Sequence, residues 1–143
     1  MIPRYTSRPL PATSYLPGVS PRGDRPPEGA EPMADEDFAY GVDLFNHGFP
    51  WEAHEVWEAL WSPLPRDTPE RALLQGLIHL AAACVKARSG VPAKARDFIA
   101  SGCGYLERAG APHRLDVGTV IAAAGAWAAD VTAPPPCLVL VTR

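Results

Sequence analysis

Trp51-Glu52-Ala53-His54-Glu55-Val56-Trp57-Glu58-Ala59-Leu60-Trp61 is the stretch that decides the fold. It places three tryptophans, three glutamates and a histidine within about three helical turns. At roughly 100° per residue, Ala53, Val56, Trp57 and Leu60 fall on one side, and His54, Glu55 and Glu58 on the other. A helix of this kind anchors a core with one face and presents titratable groups with the other. Pro50 suits its first position, and the linker Ser62-Pro63-Leu64-Pro65-Arg66-Asp67 closes it near Trp61.

On the N-terminal side, Asn46-His47-Gly48 stops an earlier helix that begins near Ala34. Asp35, Glu36 and Asp37 favour that start through the helix dipole, and Phe38, Val42 and Phe45 recur at helical spacing. On the C-terminal side, Thr68 is a good N-cap, Pro69 a good first residue and Glu70 a favourable early acid. The third helix they open is predicted to reach Arg88 and to close at Ser89-Gly90. A fourth is predicted over about 92–108 and a fifth over about 115–130. The fifth is nearly all small or apolar. Gly118, Ala122, Gly125 and Ala129 give it a low face open to another helix, in this chain or in a second copy. Pro134-Pro135-Pro136 ends regular helix, and residues 137–142 read as a short strand or a bound extended tail.

Residues 1–33 hold eight of the seventeen prolines, so they form an extended arm and not a helix. Tyr5, Leu10, Tyr15 and Leu16 give the arm apolar handles; it either lies across the domain or stands in solvent. The expected plan is an arm over 1–33, a helical domain over 34–132 and an extended tail over 133–143. The fold class is all-α: a compact bundle of four to five helices built on a central antiparallel helical hairpin. Helices two and three form that hairpin, because their linker is short.

At 143 residues and 47% hydrophobic composition, the chain is one domain with enough apolar material for a core. Its net charge is −3, and its lysines and arginines are scattered, which argues against a nucleic-acid partner. The apolar runs over 77–85 and 120–129 are too short to span a bilayer, and no apolar signal segment opens the chain. A soluble cytoplasmic protein is expected. Cys84, Cys103 and Cys137 lack metal-knuckle spacing and suit reduced thiols.

The third helix repeats the pattern of the second. Leu73, Leu77, Leu80 and Cys84, widened by Leu74, Ile78 and Val85, cover an apolar arc, while Arg71, Gln75, His79 and Lys86 take the other side. Two neighbouring helices thus each carry a polar stripe with one histidine. If the stripes share a cleft, His54 and Glu58 can bind a divalent transition metal together and His79 can complete a two-histidine, one-carboxylate set. Glu55 is then the general base toward a bound water, Trp51 a cleft wall and Lys86 an anion-binding group at the mouth. Two other readings use the same residues: a buried polar network whose members satisfy one another, or solvated faces of amphipathic helices. Position 58 is Glu, so the His-Glu-x-x-His spacing of zinc proteases is absent. His47 and His113 fall in loops, where solvent-facing positions are expected.

The run Gly41-Val42-Asp43-Leu44-Phe45-Asn46-His47-Gly48-Phe49-Pro50-Trp51-Glu52-Ala53-His54-Glu55-Val56-Trp57-Glu58, with Trp61 after it, resembles the core motif of the family catalogued as domain of unknown function 309. Leu74-Gln75-Gly76-Leu77-Ile78-His79-Leu80-Ala81-Ala82-Ala83 is similar to its second motif, and Arg8-Pro9-Leu10-Pro11 with Tyr15-Leu16-Pro17-Gly18 resembles the arm of its longer form. The resemblance implies a compact helical domain. It also implies the label of a metal-dependent hydrolase, with Asn46, His54, Glu55, Glu58 and Gln75 at the motif's polar positions. His79 departs from the Gln or Lys of the pattern, and Arg22 and Ala30 stand near positions where the longer form carries histidines.

Two functions follow as expectations. One is a hydrolase-like enzyme acting on a small molecule. In it His54, Glu58 and His79 hold the metal, Glu55 and His54 serve catalysis, and Asn46, Trp51, Gln75 and Lys86 bind. The other is a non-catalytic helical module whose polar cluster is structural and whose fifth helix mediates self-association.

Overall fold

The computed structural model describes residues 2–17, 35–110 and 114–141. Five helices follow one another: α1 (Asp35–Asn46), α2 (Pro50–Trp61), α3 (Pro69–Arg88), α4 (Pro92–Ala109) and α5 (Val117–Ala129). The fold is an all-α bundle. No described helix is long and apolar enough to cross a membrane.

The local signals act where the sequence puts them. Thr68 caps α3 by accepting the Arg71 amide at 3.3 Å, and Asp116 caps α5 by accepting the Thr119 amide at 3.2 Å. Gly48, at φ +92°, lets the chain reverse between α1 and α2, so that the Phe49 amide reaches the Leu44 carbonyl at 2.8 Å. Arg88, at the end of α3, donates to the Gly48 carbonyl at 2.8 Å and ties this turn to the bundle.

The most intimate pairing is α3 with α4. Their contacts step in opposite directions along the chain, Gly76 against Leu106 and His79 against Ser101, so the two helices are antiparallel. A Cβ at Gly76 would lie 2.9 Å from the Gly102 carbonyl oxygen, so the close backbone approach depends on a missing side chain. α2 packs on both α1 and α3, and α5 covers α4. Trp57, Phe38, Leu44, Leu74, Leu77 and Leu106 are among the fully buried side chains. The apolar positions expected on α2 and α3 are all buried.

Unlike α2, α1 is covered on every side: Asp37 through Phe45 are buried without a break. The bundle covers part of it, and the arm covers another part, with Tyr5 and Leu10 packed against the core. The tail runs extended and makes one antiparallel bridge, Leu115 with Leu140, where a short strand was one expectation. Leu138 and Leu140 are buried, as is the helix residue Trp127, whose indole donates to the Ala133 carbonyl at 3.1 Å. All three cysteines are free thiols; burial raises that of Cys84 to a pKa of about 12, which leaves it inert.

Candidate functional site

Among the described residues, three polar assemblies tie separate parts of the chain together. The largest is built by α1 on the arm. Asp43 is fully buried, and its carboxylate accepts the Tyr5 amide at 2.7 Å, the Thr6 amide at 2.9 Å and the Thr6 hydroxyl at 2.7 Å. Arg4 completes the shell, with its Nε 3.1 Å from Oδ2. A buried carboxylate is tolerable only when its charge is shared among donors in this way. Further along, Arg8 pairs with buried Asp37 and lies 5.3 Å over the Tyr40 ring, while the Tyr40 hydroxyl donates to the Pro9 carbonyl at 2.8 Å. Burial raises the pKa of that phenol, so it stays a donor. On α2, buried Glu52 accepts the Tyr15 amide at 2.8 Å through Oε2. The Tyr15 ring meets Trp51 edge-on at 5.0 Å.

Asn46 makes the second assembly with the tail. Its Nδ2 donates to the Leu138 carbonyl at 2.8 Å, and its Oδ1 accepts the Leu138 amide at 2.7 Å. This two-way pairing imitates a strand partner across 92 positions.

Gln75, His79 and Ser101 make the third. Gln75 Nε2 lies 3.1 Å from His79 Nε2, His79 Nδ1 lies 2.6 Å from Ser101 Oγ, and Ser101 Oγ lies 3.2 Å from the Phe98 carbonyl. One assignment satisfies every atom: the amide donates to the ring, the ring to the hydroxyl, and the hydroxyl to the carbonyl. In that tautomer the imidazole cannot take the serine proton. Phe98 and Tyr105 meet the ring edge-on at 5.6 and 5.2 Å, and burial lowers its pKa, favouring the neutral form.

The expected metal set is only partly brought together. His54 Nε2 and Glu58 Oε2 stand 3.2 Å apart, and His54 Nδ1 faces the Trp51 carbonyl at 3.1 Å. Its two ring nitrogens thus face a side-chain carboxylate and a backbone carbonyl of its own helix. His79 is turned away to α4, so the shared cleft between α2 and α3 does not form around it. Among the described residues, no group of three or more His, Cys, Asp and Glu side chains is placed to hold a metal ion. The residues present do not fit the metal centre. Glu55 is half-buried beside this pair, and Lys86 is half-buried further along α3. His47 is not simply solvent-facing: its Nε2 lies 3.2 Å from the Pro3 carbonyl, on the arm. His113, Arg22 and Ala30 lie outside the described residues.

The family profile described as Domain of unknown function (DUF309) matches residues 38–98. This stretch of the chain is a DUF309 domain. No curated protein matches it. The DUF309 stretch supplies Asp43, Asn46, Glu52, His54, Gln75 and His79, whereas the arm, Ser101 and the tail lie outside it. Three of these motif side chains, Asp43, Asn46 and Glu52, therefore reach beyond the matched domain to fix the backbone of its flanks.

Sequence reasoning missed Asp37, Asp43, Glu52 and Ser101. A signal existed for Asp43: it stands in Ala39-Tyr40-Gly41-Val42-Asp43-Leu44-Phe45, a helix apolar on nearly all sides, where an acid needs a partner. Nothing local to Ser101 marks it as the end of a chain that starts on α3.

Proposed function

We propose that this protein is a non-catalytic helical module whose motif residues fasten an arm and a tail onto a preformed bundle, presenting the composite surface to a partner. The observation that carries this reading is the destination of the buried polar side chains. Asp43, Asn46 and Glu52 each end on flanking backbone, at 2.7–2.9 Å, and Gln75 and His79 end in a closed hydrogen-bond chain. Most of the polar atoms of these groups are thereby engaged by the chain itself, while Glu52 Oε1 is buried without a partner.

Self-association through α5 belongs to the same proposal. Gly118, Ala122, Gly125 and Ala129 are all exposed, which supports a face open to a second copy. Three free cysteines support a reducing, cytoplasmic setting. The metal-dependent hydrolase suggested by the family label draws no comparable support from the donor geometry at His54.

The test is His54→Ala, with elemental analysis beside a melting curve. The module reading expects no stoichiometric transition metal in the parent and a loss of stability below about 1 kcal/mol, because the His54–Glu58 pair is partly exposed. A metal retained by the parent and lost in the variant would replace this reading with the hydrolase.

A further inference from the structure

We infer that a cavity beside the turn between α2 and α3 binds the phosphate of a small phosphorylated molecule. The cavity encloses about 460 Å³, within the range of small-ligand sites. Arg66 from the turn, Arg71 from the first turns of α3 and Arg108 from the end of α4 all line it. Asp67 is the single acid among its described lining residues. A net positive hollow thus sits in a chain whose total charge is −3.

Arg71 is held in place before any ligand arrives. Its Nη1 donates to the Trp61 carbonyl at 3.2 Å and the Leu64 carbonyl at 2.7 Å, and its guanidinium lies 4.0 Å over the Trp61 ring. Nε and Nη2 keep their donors. Arg108 lies 5.0 Å over the Tyr105 ring. Among the described residues, none of the three arginines is paired with a carboxylate. Three guanidinium groups without carboxylate partners are the complement of a phosphate, which only accepts.

The Trp61 and Tyr105 rings bound the space beside the arginines, leaving room for an apolar or aromatic body attached to the phosphate. The negative chain repels polyanions such as nucleic acid or an anionic bilayer, and a concave site suits one small molecule. Gln75, which starts the hydrogen-bond chain to His79, also lines the cavity, so occupancy reaches the α3–α4 interface.

Inorganic phosphate and phenyl phosphate, titrated into the full chain at fixed ionic strength while arginine side-chain NMR signals are followed, test the proposal. Both should bind saturably, phenyl phosphate about tenfold more tightly, and Arg66→Gln with Arg108→Gln should weaken both about tenfold or more. The melting temperature should stay unchanged, since both side chains are exposed; Arg71 also braces the turn and is left intact. Arg96→Gln, exposed on α4 outside the lining, should leave affinity unchanged. The proposal is overturned by an unsaturable response, by equal affinity for the two probes or by full binding in the double variant. Binding to phosphatidylglycerol vesicles in preference to either probe also overturns it.

Discussion

Gly41 and Trp57 are locked together: a Cβ added at Gly41 would lie 2.2 Å from the Trp57 indole nitrogen. The indole is fully buried, donates to the Phe38 carbonyl at 3.4 Å and packs against the Phe45 ring, with centroids 6.0 Å apart. The α1–α2 contact is therefore set by an absent side chain facing the largest one in the core. Gly41→Ala forces the ring off its seat and should cost about 2 kcal/mol, more than the small helix-propensity gain returns. Urea denaturation checks this; a variant as stable as its parent would mean that the two helices are not held at this distance.

The helices themselves were legible from residues such as Pro50, Thr68 and Pro69, because caps and proline positions act locally. The apolar arcs of α2 and α3 were legible from periodicity for the same reason. The partners of the polar stripes were not. Whether His79 faces α2 or α4 depends on how α3 is rotated in the bundle, and Gly76 against Gly102 settles that through a contact far apart in sequence. The docking of the arm is not legible in the sequence, since Asp43 and Glu52 act on backbone amides, which carry no side-chain signal.

Asn46 joins the end of α1 to the tail through two hydrogen bonds with Leu138. Asn46→Ala removes both, leaving the Leu138 amide without its acceptor and the Leu138 carbonyl with only the long contact from the Cys137 thiol at 3.9 Å. A loss of about 2 kcal/mol is expected. Faster proteolysis within the tail at unchanged helix content checks it, whereas an intact, protected tail would show that Leu138 and Leu140 dock by apolar contact alone.

Burial lowers the pKa of His79 below the ordinary 6.5. The unfolded chain then binds more protons than the folded one once pH drops below about 6.5, so stability falls there and levels off beneath the lowered value. Above about 6.5 the residue contributes no pH dependence. Urea midpoints measured from about pH 8 to pH 5 should decline less steeply in His79→Gln than in the parent. Parallel profiles would contradict a buried neutral ring.

The central claim is that α1 holds the arm through Asp43, and amide hydrogen exchange at Tyr5 and Thr6 reads it directly. In the parent both amides should be protected. In Asp43→Asn their exchange should accelerate by more than about tenfold, the equivalent of one lost charge-assisted bond, while Leu74–Cys84 on α3 stays protected. Fast exchange at Tyr5 and Thr6 in the parent, or unchanged protection in the variant, would contradict it.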